Sequence, residues 1–346
     1  MQPVKAAPIC RILIANRGEV AVRVARAAHD LGIETVAVFA DDDAGNPHRR
    51  AADRALPLGA AGPAAYLDGA RLVAVARQAE CDAVHPGYGF LSERADFARA
   101  CEDAGLAFIG PTPEQLAIFG DKASSRELAR RCGIPLLPGT GALADAAGAA
   151  AFMASLPAGA AIMVKAVAGG GGRGLRVVRD PADLAAAFER CRSEALAAFG
   201  VGEVFVERWL PRARHVEVQI LGDGRHVVDF GERECSLQRR HQKLVEVAPC
   251  PTLDPAIRRA LVDAALALGR EVGYRGLGTV EFLVDPAPGA DPPFAFLEVN
   301  ARLQVEHTVT EQVTGLDLVA AQIAVADGRS LEDLGLLAPE LRRPRG

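Results

Sequence analysis

The sequence predicts an α/β protein that begins with a parallel sheet and continues into an antiparallel half. Three observations carry this. Short apolar runs alternate with helix-period segments through the first third. A glycine run, 169–172, stands between two strand-like segments. Further on, Asp223-Gly224 separates two alternating runs, a strong hairpin signal.

In the first third, Arg11–Ala15 reads as a strand. Glu19–Leu31 follows as a helix with Val20, Val22, Val24, Ala27, Ala28 and Leu31 at helical spacing, and Gly32 closes it. Strands are expected at Thr35–Ala40, Asp82–His85 and Ala107–Ile109. Helices are expected at Leu67–Ala79 and Ser92–Ala104, the latter with Ser92 as N-cap. Strands separated by helices imply parallel pairing, with ligands outside the carboxyl ends of the strands. Asn16–Glu19 and His85–Glu93 fall at two such ends.

A second unit opens with a helix over Asp121–Cys132. A small region follows from about Leu137 to Trp209, with strands at Ile162–Val167, Leu175–Val178 and Glu203–Trp209 and a helix over Pro181–Ala198. From Leu210 onward the reading is antiparallel. Val216–Leu221 and Arg225–Phe230 form a hairpin, a helix covers Asp254–Val272, and strands lie near Gly278–Val284 and Phe294–Asn300. A last helix runs from Leu316 to Asp327.

The composition is that of a globular protein: 346 residues, 50% hydrophobic and 24% charged, enough for two or three domains. A net charge of -5 excludes nucleic-acid binding as the role of the whole protein. The seven cysteines show no C-x-x-C spacing, which excludes the common zinc and dithiol motifs and fits a reducing, cytoplasmic compartment. Cys235 is expected to be a buried, inert thiol. Residues 1–10 carry no secretory h-region. The uncharged stretch Ala146–Val164 is mostly Ala and Gly, so a short helix, a turn and a strand are expected there rather than a membrane span.

Four clusters carry chemistry. Lys165 enters a glycine loop (Gly170, Gly171, Gly172) that Arg173 leaves, and a strand follows rather than a helix. This reads as a mobile flap over phosphates and not as a Walker loop. Glu281 and Glu298 lie on neighbouring predicted strands among apolar residues, where paired carboxylates need a cation between them. With the amide oxygen of Asn300 they are hard ligands suited to Mg²⁺. Arg302, Gln304 and Glu306 alternate and are expected on one face of an extended segment, Arg302 gripping a small acid and Glu306 acting as a base. Finally, Arg233–Lys243 packs Gln238, Arg239, Arg240, His241 and Lys243 into a stretch too polar for a core strand, built to hold anions.

These residues, in this order, resemble the biotin carboxylase component of biotin-dependent carboxylases, a branch of the ATP-grasp superfamily. Asn16-Arg17-Gly18-Glu19, His85–Glu93, Gly120-Asp121-Lys122, the glycine loop, Glu207-Arg208, Arg214–Glu217, the 233–243 segment and Glu298–His307 carry the resemblance across essentially the whole chain. Ala168 and Leu175 depart from the family pattern tolerably.

The resemblance implies an ATP-grasp fold with an N-terminal Rossmann-like domain at 1–119. An ATP-grasp domain at 120–328 would include a lid at about 137–209, and an incomplete C-terminal α+β domain would begin at 329–346. It implies that Lys122, Lys165, the loop glycines, His215, Gln238 and His241 bind ATP, with Glu207 and Leu210 at the adenine. Glu281, Glu298 and Asn300 would hold Mg²⁺ or Mn²⁺. Lys243, Arg302, Gln304 and Val305 would hold bicarbonate, Glu306 would deprotonate it, and Tyr88 would lie near biotin.

The implied reaction is ATP-dependent carboxylation of biotin through carboxyphosphate, the first half-reaction of an acyl-CoA carboxylase as in fatty acid biosynthesis. The implied partners are a biotin carboxyl carrier, a carboxyltransferase and a second copy of the chain. The family continues beyond the position of Gly346 and carries there an Arg that stabilises the biotin enolate, so the chain reads as a fragment. Two other readings stay open: another ATP-grasp carboxylate ligase, and a truncated chain that binds ATP or carboxylase partners without carboxylating biotin.

Overall fold

A computed structural model describes residues 8–167, 174–239, 242–287, 289–290 and 292–344. The loop glycines 170–172 and His241 lie outside the described residues.

The first unit runs β1 (Arg11–Ile14), α1 (Gly18–Asp30), β2 (Glu34–Phe39), α2 (His48–Ala51), β3 (Arg54–Pro57), α3 (Gly69–Gln78), β4 (Ala83–His85), α4 (Ala95–Asp103) and β5 (Ala107–Phe108). Its sheet has the order β3-β2-β1-β4-β5 with every pair parallel. Side chains of β1 alternate between two cores: Leu13 belongs to one, Ile12 and Ile14 to the other, beside Val20, Val24 and Ala28 of α1.

Two helices link this unit to the next: α5 (Pro113–Gly120) and α6 (Lys122–Arg131). A capping box formed by Thr112 and Gln115 starts α5, and Asp121 caps α6. The lid comprises α7 (Ala146–Ser155), β6 (Ile162–Ala166), β7 (Leu175–Val178), α8 (Leu184–Phe199) and β8 (Val204–Arg208). Its three strands are antiparallel in the order β7-β6-β8, over a separate core of Ile162, Val164, Phe188 and Val206.

The remainder runs β9 (Arg214–Asp223), β10 (Val227–Arg239), β11 (Gln242–Val247), α9 (Pro255–Glu271), β12 (Arg275–Val284), β13 (Phe294–Asn300), α10 (His307–Thr314) and α11 (Leu318–Ala326). Its sheet is antiparallel in the order β11-β10-β9-β12-β13. Val216, Val218 and Ile220 of β9 pack with Leu261, Ala265 and Leu268 of α9. The opposite face is graded: Leu221 pairs with Leu277, Gln219 with Thr279, and Glu217 with Glu281. The Leu221–Leu277 end joins the core under α1 and α11, and the Glu217–Glu281 end is the site. Among the described residues no helix is long and apolar enough to cross a membrane.

Several sequence expectations are corrected. The 233–239 stretch is a strand after all, the end of β10, with Arg233 and Cys235 fully buried. Buried polarity is tolerated there because the buried Arg233 and the half-buried Glu234 are each paired. Ser92 is buried but caps nothing, since α4 starts three residues later behind Arg94. Arg302–Glu306 is a loop and turn rather than an extended strand, and it leads into α10, which the sequence reading missed along with α5 and β3.

Candidate active site

The site is built on one row of the antiparallel sheet. Arg233 is opposite Glu217, Glu217 opposite Glu281, and Glu281 opposite Glu298, across β10, β9, β12 and β13. Directly opposed like charges repel, so three carboxylates in a row need cations. Two come from the strands around them. The Arg233 guanidinium meets Glu217 Oε1 at 2.6 Å. The Lys243 ammonium, carried by β11, reaches Glu217 at 2.5 Å, Glu281 at 2.9 Å and Glu306 at 2.6 Å.

Glu281 has further partners. His215 Nε2 lies 2.7 Å from its second oxygen, and Asn300 Nδ2 and Gln304 Nε2 donate to its first at 2.7 and 3.1 Å. Gln238 sits 2.8 Å from the other ring nitrogen of His215. Burial pushes the Glu281 carboxyl up, but His215 and Lys243 outweigh it and hold the group well below the usual carboxylate range. Burial pushes His215 down, and the bond to Glu281 more than restores it, leaving its pKa raised. The Lys243 pKa is raised in the same way: burial opposes its charge and the three carboxylates overcome it. Burial raises Glu306 too, and Lys243 reverses that and keeps it ionised below its ordinary range.

Glu298 is different. Among the described residues it receives no hydrogen bond and no ion pair closer than 4.0 Å. Burial, and after it the charge of Glu281, push its pKa up. A carboxylate raised for those two reasons is relieved by a cation between the pair, so Glu281 and Glu298 fit a divalent ion. The amide oxygen of Asn300 accepts from Arg302 at 2.7 Å and must exchange that partner to serve as a ligand. Ligand atoms of His215, Glu217 and Glu281, and of Glu217, Cys235 and Glu306, also lie within ion-binding reach of one another, with the Lys243 ammonium bonded to Glu217, Glu281 and Glu306 among them.

The lid supplies another group of charges. Lys165 on β6 meets Glu207 on β8 at 2.5 Å, and Arg126 of α6 pairs with the same carboxylate. Lys122, at the first position of α6, forms no ion pair with a described residue, and burial lowers its pKa. A cavity of about 280 Å³ opens beside Leu210, walled by Leu137, Pro138, Arg208 and Phe294. Glu207 is not among its walls, because consecutive strand residues face opposite ways.

The loop after β4 closes the remaining side. Asn16, buried behind β1, donates to the carbonyls of Pro86 at 2.7 Å and Tyr88 at 2.8 Å. Gly87 has φ +63, and a Cβ there would lie 2.9 Å from Asn16 Nδ2, so the close approach requires glycine. Glu93 on this loop takes Arg302 at 2.8 Å, so Arg302 pairs across to the first unit and not with Glu281 or Glu298. Tyr88 is half-buried against the core that contains Leu303.

The structure thus gathers Lys243, Glu281, Gln304, Glu306, His215 and Gln238 directly, with Asn300, Arg302 and Glu298 at the rim. Val305 is exposed beside them. Cys235 is buried and burial pushes its thiol up, so it is inert. Sequence reasoning missed Glu217, Arg233, Arg126 and Glu93 as site residues. The signal for Glu217 was present: His215, Glu217 and Gln219 alternate with Val216, Val218 and Ile220, the pattern of a strand whose second face is polar and covered.

A small three-stranded subdomain carrying Lys165, a half-buried Lys122 at a helix start with no ion pair to a described residue, and a row of carboxylates on an antiparallel sheet together define an ATP-binding domain of the ATP-grasp class. The family model described as carbamoyl-phosphate synthase L chain, ATP binding domain, matches residues 121–334, and that of the biotin carboxylase N-terminal domain matches 8–116. The chain belongs to the biotin carboxylase family. It is 51% identical to mitochondrial pyruvate carboxylase of Homo sapiens over 338 residues, 97% of this chain and 28% of that protein. The biotin carboxylase domain of a single-chain bacterial carboxylase superposes with a TM-score of 0.86 at 51% identity, covering 98% of this chain and 73% of that one. The biotin carboxylase domain of Hydrogenobacter thermophilus 2-oxoglutarate carboxylase, solved with MgADP, ADP and bicarbonate, gives 0.88 at 41% identity, covering 94% and 71%. The chain therefore spans little more than a quarter of the curated pyruvate carboxylase it matches.

Proposed function

We propose that this chain carries out ATP- and bicarbonate-dependent carboxylation of biotin borne on a carrier. The observation that supports it best is the position of Lys243, which touches the row carboxylates Glu217 and Glu281 and the base candidate Glu306 together. Phosphate, metal and small acid then meet within one side chain's reach.

In this reading Lys122 and Lys165 take the nucleotide phosphates. Lys122 is half-buried at the start of α6, where the helix dipole favours an anion as well, and it has no partner of its own among the described residues. Lys165 leaves Glu207 for the phosphates as the lid closes. His215, Gln238, His241 and the loop glycines complete the phosphate side, and Leu210 with its cavity receives the adenine, Glu207 flanking it. Glu281, Glu298 and Asn300 hold Mg²⁺ or Mn²⁺, which when bound neutralises phosphate charge. Lys243, Arg302 and the Gln304–Val305 backbone grip bicarbonate.

Glu306 is ionised and sits where it can remove the bicarbonate proton. Bicarbonate oxygen attacks the γ-phosphorus and ADP leaves, giving carboxyphosphate. This splits into CO₂ and phosphate, the phosphate takes the N1 proton of biotin, and the resulting enolate captures CO₂. Tyr88 lies at the biotin side. A carboxyl carrier, a carboxyltransferase and a second copy of the chain belong to this reading.

The acceptor expected from sequence was an acyl-CoA, whereas the relatives named above act on pyruvate and 2-oxoglutarate. The proposal commits to biotin and leaves the acceptor to the carboxyltransferase. The cytoplasmic placement rests on the seven free thiols, and the human relative is mitochondrial.

The test is ADP release with and without bicarbonate and free biotin. Bicarbonate-dependent release stimulated by biotin is expected, with carboxybiotin formed. Release without carboxybiotin would reduce the activity to the first step, and no nucleotide binding would end the reading. Glu306→Gln is expected to lower bicarbonate-dependent turnover roughly a hundredfold or more while nucleotide affinity is kept. Loss of nucleotide binding in that variant would remove Glu306 from the role of base.

A further inference from the structure

Arg233 has no part in the chemistry above, yet it is fully buried, as is its partner Glu217. Its guanidinium donates to Glu217 Oε1 at 2.6 Å, Gln219 Oε1 at 2.9 Å, Thr310 Oγ1 at 2.9 Å, Gln304 Oε1 at 3.0 Å and Thr279 Oγ1 at 3.4 Å. A desolvated guanidinium persists only when its donors are met, and here they are met by β9, β12, α10 and the loop between β13 and α10.

Three of these contacts lead to the proposed acid grip. Glu217 is shared, one oxygen on Arg233 and the other on Lys243. Gln304 is oriented by chemistry: its oxygen must face the donor-only Arg233 and its nitrogen the acceptor-only Glu281 carboxylate. The Gln304 carbonyl is meanwhile held by the backbone and ring of His307. Thr310 fixes the first turns of α10, and Glu306 is the residue on which that helix starts. One buried fork therefore sets Lys243, the 304–305 backbone and Glu306 relative to one another.

We propose that Arg233 is the positioning residue of the bicarbonate subsite, acting through Glu217, Gln304 and Thr310 without touching substrate. The proposal rests on the reading of that loop as the acid grip. Lysine cannot replace the fork, since an ammonium cannot span acceptors on four elements. Arg233→Lys is expected to raise the KM for bicarbonate roughly tenfold or more, with the KM for ATP changed by less than about twofold. Thr310→Val, which removes one arm, is expected to move the same constant in the same direction by a smaller factor. A purely structural role would instead lower the active fraction and leave the bicarbonate KM where it was, and that result would overturn the proposal.

Hydrogen exchange provides a measurement independent of turnover. In Arg233→Lys or Thr310→Val, amides of residues 304–310 are expected to lose protection while those of β1 and β4 keep theirs. Unchanged exchange at 304–310 would overturn the positioning role. If the unsubstituted chain hydrolyses no ATP in response to bicarbonate, the functional reading falls, and the exchange result alone decides what Arg233 holds.

Discussion

The two five-stranded sheets are buried to the same depth by opposite means. In the parallel sheet Ile12, Leu13 and Ile14 are fully covered, and what covers them is carbon from α1 and the flanking helices. In the antiparallel sheet Glu217, Arg233 and Thr279 are just as covered, and what covers them is one another, Lys243 and Gln304. The first arrangement is stable residue by residue, because each apolar side chain gains from leaving water whatever its neighbours are. The second is stable only as a set, because each desolvated charge relies on a partner. A pre-organised cluster of paired charges is the result, and the proposed bicarbonate subsite rests on it. The same sheet shows the boundary between the regimes in a single face, from Leu221–Leu277 through Gln219–Thr279 to Glu217–Glu281.

The contrast is broken most severely by removing one member of the charged set. Glu217→Leu leaves Arg233 without its closest partner in a dry site and is expected to cost about 3–5 kcal/mol, read by urea denaturation. A loss below 1 kcal/mol would mean that the set tolerates vacancies as a carbon core does. Asn16→Ala, at a buried polar point of the parallel unit's ligand edge, frees two carbonyls at Pro86 and Tyr88 and is expected to cost about 1–3 kcal/mol. Its reach should stop at the 85–93 loop. Ile12→Val, a single methylene in the carbon-covered sheet, is expected to cost about 0.5–1.5 kcal/mol with the bicarbonate KM unmoved.

The gentlest probe is pH. Fully buried His85 has its pKa pushed down to about 3, first by burial and then by Arg23. The unfolded chain therefore binds the extra proton between the usual 6.5 and about 3, and stability falls as pH drops through that window. From pH 7 to 6 the loss is expected to stay under about 1 kcal/mol. Glu234, held down to about 2 by the hydrogen bond from Arg214, acts lower: its contribution is complete above 4.5 and is lost as pH falls towards 2. Thermal melts stepped in pH should thus show a first loss below about pH 6.5, where burial opposes protonation of both His85 and His307, and a second loss nearer pH 2. A melting temperature that holds constant from about pH 6.5 to about 4 would contradict the buried, neutral state of these histidines.

Much of this was legible in the residues. Short apolar runs and their helical spacers placed β1, β2, β4, α1 and α3 within a few residues of where they lie. Asp223-Gly224 marked the β9–β10 turn, and Glu281 and Glu298 stand directly opposed as their neighbouring strands implied. What escaped did so for identifiable reasons. Thr112-Pro113-Glu114-Gln115 is a capping box that announces α5, but the apolar spacing behind it is short and weakly periodic. β3 is a mostly exposed edge strand with weak patterning. The 233–239 stretch reads as too polar for a covered strand, because nothing local in it shows that Glu217, Gln219, Thr310 and Gln304 stand ready to receive its charge.

Alternation and glycine placement were enough to establish the fold class, and the spacing of Arg302, Gln304 and Glu306 was enough to suggest the kind of chemistry proposed. Pairing was not contained in them. Arg302 chose Glu93 on the first unit, Lys243 took three carboxylates on three separate segments, and Glu298 has no ion pair with a cation among the described residues. Such choices depend on strand register and on which segments approach through space. A charge in water is indifferent to them, whereas a charge in a dry interior is governed by whatever stands within hydrogen-bonding distance.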